Sequence, residues 1–384
     1  MRDAVICQAV RTPVGRRNGG LSGTHPADLS ATVLMALAER TGLDPAVVED
    51  VFWGCVTQVG EQTLNIGRTA VLAAGWPTSV PATTMDRQCG SSQQALATAA
   101  ATVISGQADV VVAGGVESMS RVPMGSTVGA GEHSQPYSPL FHRRFPDAPH
   151  QGLAAEMIAA RWSLSRQQLD EFALASHARA AHARDAGASK SEIAAVSTDG
   201  GTVSVDEGIR QGGTVASLAQ LRTPFQADGV VTAGNASQIS DGAAALLITT
   251  SERARGLGLT PMARIHTTVV AADDPVWMLT APVPATQRLV QRSGVALAEI
   301  DTFEVNEAFA SIPLMWLAET GVDPARVNPD GGAIALGHPL GASGARLMTT
   351  LVHRLVATGQ RFGMQTMCEG GGQANATLVE NLQR

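Results

Sequence analysis

Two cysteines and a histidine stand in this sequence where side chains can do chemistry. Cys89 precedes Gly90-Ser91-Ser92, which open an Ala-rich run ending near Ser105, and a strand-like stretch, Pro81 to Met85, leads into it. Strand, turn and helix in that order put the Cys89 sulfur at a helix N-terminus, among unpaired backbone N–H groups and the positive end of the dipole. Such a setting favours the thiolate, the form that attacks carbonyls. A lone cysteine in an Ala-rich helix is more often a buried structural residue. The setting differs here because Gly337-His338-Pro339-Leu340-Gly341 puts a histidine at another helix start, and Met367-Cys368-Glu369-Gly370-Gly371-Gly372 puts a second cysteine on a glycine-rich turn. Each of the three residues ends a structural element, as a catalytic set requires.

The elements must come from a chain of 384 residues, 44% hydrophobic, a length matching roughly two to three domains with ample core. Forty glycines point to close-packed elements, and with 4% aromatics the interior must be filled by small and branched aliphatics. Four cysteines without a C-x-x-C pair suggest a reducing, cytoplasmic setting rather than a disulfide framework. A strand begins at once in Met1-Arg2-Asp3-Ala4-Val5, leaving no room for a signal peptide, and no apolar run spans a bilayer. The basic residues are 26 arginines and one lysine, Lys190; a net charge of −7 argues against general nucleic-acid binding but leaves room for a phosphate-bearing substrate.

In chain order, strand Ala4–Val10 is followed by a helix from Asp28 to Arg40, strand Val51–Val56, a helix from Leu64 to Ala74, the Cys89 helix, and a strand Ala108–Ala113 closing on Gly114-Gly115. Strands apolar throughout and alternating with helices predict a mainly parallel sheet covered on both faces. From 119 to 240 glycine, proline and charge rise. The clear elements there are helices, Leu153–Trp162 and one from Ser165 to about Asp185 with a capping-box start, Ser165-Arg166-Gln167-Gln168. This segment reads as an inserted loop domain. It follows an N-terminal half, 1–118; residues 241–262 return to that half, and 263–384 form the C-terminal half. The halves look duplicated: Asp50-Val51-Phe52 and Asp301-Thr302-Phe303 each lead a strand, and each half then carries its catalytic helix, a Gly-Gln pair, a strand and a double glycine. That repetition predicts two helix N-termini meeting at a pseudo-twofold axis.

These residues together resemble the thiolase family along essentially the whole chain. The matching stretches are Cys89-Gly90-Ser91, Gly115–Ser120, Thr232–Ser237, Asn306-Glu307-Ala308-Phe309-Ala310, Gly337–Arg346 and Cys368-Glu369-Gly370-Gly371. The resemblance implies an α/β protein of duplicated thiolase fold, five-layered αβαβα with an inserted loop domain, built as a homodimer or homotetramer. Ser92 departs from the glycine common there; serine suits a helix start, so little effect is expected.

The resemblance also implies a coenzyme A-dependent acyltransferase. Its partners are acyl-CoA and coenzyme A, both substrates, with no separate cofactor or metal. Cys89 would attack the 3-keto carbon, His338 would hold its thiolate or take its proton, and Cys368, a thiol with pKa near working pH, would supply or remove a proton at the acetyl carbon. The backbone N–H groups of Cys89 and Gly370 would form one oxyanion site, and His338 with a water held by Asn306 the other. By position in the family pattern, His150, Gly152, Arg210, Ser217 and Ser237 are candidate CoA contacts, and Met278 and Phe309 would line the acyl end. Each has a plainer alternative: His338 could simply cap a helix, though a G-H-P-x-G turn is an expensive place for a routine histidine, His150 could cap a helix or lie at the surface, and Asn306-Glu307 could begin a helix. Cys7 and Cys55 are core, and His142, His177 and His182 lie on the surface or in loops. The reaction expected is thiolysis of 3-ketoacyl-CoA to acetyl-CoA and a shortened acyl-CoA. Formation of acetoacetyl-CoA is the runner-up, and a thiolase-like scaffold without catalysis is the remote one.

Overall fold

The computed structural model describes residues 2–128, 135–147 and 150–384. Met1 lies outside them, and the opening strand, β1, runs Val5–Arg11. The N-terminal half continues with α1 (Pro26–Thr41), β2 (Asp50–Gly54), α2 (Ile66–Ala73), β3 (Thr83–Met85), α3 (Ser91–Ser105) and β4 (Val110–Ser118). After helices α4 (Gln151–Arg161) and α5 (Arg166–Asp185), β5 (Ser240–Thr249) returns to the sheet. The C-terminal half is β6 (Ala263–Ala272), α6 (Pro282–Ser293), β7 (Thr302–Val305), α7 (Ser311–Thr320), α8 (Leu340–Thr358), β8 (Phe362–Glu369) and β9 (Gln373–Asn381).

The strands form one sheet in the order β7-β8-β9-β6-β1-β5-β4-β2-β3, its two halves joined by the short pairing of Val5 with Arg264 and Ile6 with Ala263. Each half repeats one plan. In the first, β2 pairs parallel with β3 and β4, β4 antiparallel with β5, and β5 antiparallel with β1. In the second, β7 pairs parallel with β8, β8 antiparallel with β9, and β9 antiparallel with β6. The counterpart of β3 has shrunk to a single parallel bridge, Phe303 to Val327. The expected mainly parallel sheet is thus corrected: most pairings are antiparallel. A strand buried on both faces reads as apolar in either direction, and a tight hairpin such as 370–372 can only join antiparallel strands.

Alternation along the strands builds the layers. Val110, Val112 and Val116 of β4 and Ala243, Ala245 and Leu247 of β5 face α1 and α2, meeting Leu29, Val33, Leu37 and Val71. Val111, Ala113, Leu246 and Ile248 point the other way, onto Leu96, Ala99 and Val103 of α3 and Met348, Leu351 and Leu355 of α8. On the far side of the sheet's C-terminal half, Phe303, Val305, Ala376 and Leu378 pack with Leu289 of α6 and Trp316 of α7. The result is five layers, with α3 and α8 in the middle one.

Small residues let the middle layer close. A Cβ on Gly115 would overlap the Gly341 carbonyl oxygen, and one on Gly341 would overlap that of Val116. Gly114 and Gly115 accordingly lie inside β4 rather than ending it. Glu117, within the Gly115–Ser120 stretch, accepts N–H bonds from Val56 and Thr57 at 3.0 Å and from Gly341 at 2.9 Å. It thereby pins the start of α8 to the other half.

Between β4 and β5 the expected helices are present, and the Ser165–Gln168 capping box is formed. Sequence reading missed a small hairpin, Val196–Thr198 with Gly201–Val203. It also missed a buried cluster in which Arg11 of β1 binds Asp206 at 2.7 Å and Glu192 at 2.8 Å, clamping the segment onto the sheet. Among the described residues no helix is long and apolar enough to cross a membrane.

Candidate active site

Cys89 lies two residues ahead of α3, with Gly90 as N-cap. The turn before it is tight. Gln88 adopts φ 48°, unusual for a side-chain-bearing residue, and Ser91 Oγ holds the turn by accepting Arg87 N–H at 2.9 Å and donating to Gln88 O at 2.6 Å. His338 lies just before α8, its backbone N–H shared between Gln238 O and Ser240 Oγ, both at 3.2 Å. Cys368 is the penultimate residue of β8, and Gly370 follows that strand.

Cys89, His338, Cys368 and Gly370 line one cavity of about 180 Å³, together with Ser237, Phe309, Phe225, Leu279, Met124 and Leu340. The pseudo-twofold arrangement delivers them: the nucleophile's turn comes from the first half and the rest of the chemistry from the second. Asn306 stands behind, its Nδ2 3.3 Å from His338 Nε2, with its Oδ1 buried and without a hydrogen-bond partner. It does not begin a helix, since α7 starts only at Ser311. Glu307 is structural, accepting from Ser176 Oγ at 2.6 Å, Asn328 Nδ2 at 2.9 Å and Ile334 N at 3.2 Å.

Hydrogen bonding fixes the His338 tautomer. The Ser343 hydroxyl donates its one proton to Pro339 O at 2.8 Å, so at 2.6 Å from His338 Nδ1 it must accept. Nδ1 therefore carries the hydrogen, and Nε2 holds the lone pair. Burial, with Arg346 nearby, pushes His338 down to about 3, and the ring is neutral. Burial, reinforced by the Glu369 carboxyl, pushes Cys89 up to about 12. This corrects the expectation of a resting thiolate: loss of solvent outweighs the helix N-terminus, and the resting pair is thiol and imidazole. Cys368, fully buried, is likewise raised well above an ordinary thiol, by burial first and then by Cys89 and Glu369, rather than poised near working pH.

The remaining expected contacts divide. Ser237 and Phe309 line the cavity; Met278 does not, although its neighbour Leu279 does and both belong to the same buried cluster. Met278 adopts φ 49°. His150 caps α4, its Nδ1 accepting Gly152 N–H at 3.2 Å, and its ring lies 5.6 Å from that of Phe225. A Cβ on Gly152 would overlap the Phe225 ring, so this glycine seats a cavity-lining residue. Arg210 and Ser217 are exposed and outside the cavity, Ser217 in a one-turn helix capped by Thr214. His177, expected at the surface, is half-buried and anchors the Arg210 loop by accepting its N–H at 3.0 Å.

Phe225, Leu279 and Met124 were missed because irregular segments carry no periodicity to mark an inward face. Ser92 was undervalued: its buried hydroxyl accepts the Ala345 N–H at 2.9 Å, joining α3 to α8.

Comparison with known proteins identifies the family. The family models for the thiolase N-terminal and C-terminal domains match residues 4–252 and 259–381. A steroid 3-ketoacyl-CoA thiolase of Mycobacterium tuberculosis is 48% identical over 388 residues, covering all of this chain and 95% of that protein. A 3-ketoacyl-CoA thiolase of Pectobacterium carotovorum is 44% identical over 395 residues, covering 100% of both. The crystal structure of a Bacillus anthracis acetyl-CoA acetyltransferase superposes with a TM-score of 0.91 at 36% identity, covering 100% of this chain and 99% of that one. On its matched domains, its relatives and its fold, the chain belongs to the thiolase family.

Proposed function

We propose that the protein is a 3-ketoacyl-CoA thiolase, cleaving its substrate with coenzyme A to acetyl-CoA and a shortened acyl-CoA. The observation that carries this is the enclosure of Cys89, His338, Cys368 and Gly370 around one largely apolar cavity. In the first half-reaction the Cys89 proton passes to His338 Nε2 as the sulfur bonds to the 3-keto carbon. The C2–C3 bond breaks, its electron pair goes to C2 as the acetyl-CoA enolate, and the Cys368 thiol protonates C2. In the second, the coenzyme A sulfur attacks the acyl group on Cys89 and gives its proton to the Cys368 thiolate. Cys89 leaves as thiolate and recovers its proton from His338. Protons and thioester bonds balance over the cycle.

Each tetrahedral or enolate oxygen needs donors, and each preorganised donor contributes roughly 10²–10³ in rate. The Cys89 and Gly370 N–H groups serve the oxygen on the carbon bonded to Cys89. His338 and a water on Asn306 Oδ1 serve the thioester oxygen. Ser237, which lines the cavity, is the best supported of the CoA contacts, while His150 and Gly152 act through Phe225. Arg210 and Ser217 are left to outer phosphate contacts. The reading carries with it a cytoplasmic homo-oligomer that takes coenzyme A as second substrate and needs no further cofactor.

Acetyl transfer on a two-carbon unit is the second reading, favoured by the likeness to an acetyl-CoA acetyltransferase. Thiolysis assayed with free coenzyme A across 3-ketoacyl chain lengths separates the two. Turnover peaking beyond four carbons is expected; activity confined to acetoacetyl-CoA supports the second reading, and activity on no length overturns both.

A further inference from the structure

Glu369 stands between Cys368 and Gly370 and is used by none of the steps above. Its side chain is fully buried, no side chain hydrogen-bonds its carboxyl oxygens, and the backbone N–H of Asn375 is only a weak donor to them. The carboxyl lies against Gly90, the residue after the nucleophile: a Cβ there would overlap Glu369 Oε1. From the turn before α3 it is faced by Asp86 and Arg87, from β8 by Cys368, and from β9 by the uncharged Gln373 and Asn375. Arg87 also gives its Nη1 to Gln373 Oε1 at 3.0 Å. Cys89 in turn faces Glu369, Glu117 and Asp86, with His338 and Cys368 across the cavity. A carboxyl buried with so little hydrogen bonding costs desolvation that an apolar side chain would avoid. The position beside both thiols is what distinguishes it.

We propose that Glu369 is a positioning residue that sets the acidity of the nucleophile: its protonated carboxyl permits Cys89 to ionise, and its carboxylate holds Cys89 as the thiol. The inference rests on the reading of Cys89 as nucleophile. Burial raises Glu369 to about 8, with Arg87 and the Asn375 N–H opposing and Asp86 adding, so the change falls within about a unit of neutral pH. Below it a neutral acid group lies under the forming thiolate; above it two negative charges would share one turn. Only a proton exchanged with solvent is involved, and no other bond changes.

The test is the pH dependence of Cys89 alkylation by iodoacetamide, followed by peptide mapping, alongside the pH profile of thiolysis. Glu369→Gln is expected to move the alkylation midpoint down by about one pH unit. It should also remove an alkaline limb of thiolysis near pH 8 while leaving the acid limb in place. A folded Glu369→Gln with both unchanged overturns the proposal. Should that variant fail to fold, Arg87→Gln decides. Losing the opposing cation should move the alkaline limb to higher pH, and a limb that stays overturns the proposal. Alkylation of Cys89 without loss of thiolysis would instead refute the nucleophile reading, whatever the pH profile.

Discussion

The hydroxyl of Ser92 on the nucleophile's helix accepts the backbone N–H of Ala345 on the histidine's helix at 2.9 Å. Nearby, a Cβ on Gly344 would overlap the Gln93 backbone N, and Gln365 Nε2 bridges Gln93 Oε1 at 3.1 Å and Gly344 O at 2.9 Å. The two helices that carry the chemistry are therefore locked in register within two turns of the site.

Ser92→Ala removes an acceptor and leaves a buried N–H. We expect a loss of about 1–3 kcal/mol, read as a lowered Tm, with kcat reduced more than KM because the register of Cys89 and His338 loosens. A Tm unchanged within error would show that Ala345 is satisfied within its own helix.

The two cysteines should fail in different assays. Substrate added without free coenzyme A should release about one equivalent of acetyl-CoA per site in a burst, and Cys89→Ala should abolish burst and turnover. Cys368→Ala should lose carbon–carbon cleavage by several orders of magnitude while keeping acyl exchange between a simple acyl-CoA and coenzyme A. Equal loss of exchange in both variants would mean that Cys368 acts on the nucleophile itself.

Limiting iodoacetamide should label Cys89 before Cys7, Cys55 or Cys368. The reason is access: Cys89 is half-buried, whereas the other three are at most 6% exposed. Cys7 is also pushed up to about 12 by burial and Asp3, so acidity does not favour it. Mapping that finds Cys7 or Cys55 labelled first, with activity intact, would contradict this.

Chain-length preference should follow Leu279 rather than Met278. Leu279→Ala widens the cavity wall and should shift relative kcat/KM toward longer or branched acyl groups, by about 1–3 kcal/mol at most for each methylene accommodated. Met278→Ala, in the same buried cluster but outside the cavity lining, should lower Tm with little change in preference. The reverse outcome would put Met278 in contact with substrate.

Stability should fall as pH rises through neutrality, and Glu304 is one cause. Fully buried on β7 with neither oxygen hydrogen-bonded, it is raised to about 8 by burial, with Arg346 opposing. Above the ordinary carboxylate value, 4.5, the folded form therefore holds a proton that the unfolded chain releases. Its stabilisation is complete below that value and is lost as pH rises toward 8. Glu304→Gln should match wild type near pH 5 and exceed it near pH 9, by a few kcal/mol in order of magnitude. Parallel Tm–pH curves for the two proteins would refute it.

How much was legible in the sequence depended on whether a signal was local. The Cys89 and His338 turns, the Ser165 capping box and the repeat of the two halves are written in short stretches and were read correctly. Strand direction was misjudged because Val111 or Leu246 looks the same in a parallel or an antiparallel strand. Phe225 and Leu279 were invisible because loops reach the cavity by tertiary packing. The acidity of Cys89 was misread because a helix start can be seen in sequence, whereas burial and the approach of Glu369 cannot.

The division of the site between two halves also governs when the protein becomes chemically competent. A ribosome makes Cys89 early and His338, Cys368 and Gly370 only near the end of the chain. Throughout that interval the thiol has no imidazole to receive its proton and no oxyanion donor from Gly370. The acyl-transfer chemistry, as distinct from simple thiol reactivity, therefore requires both halves to be folded against each other.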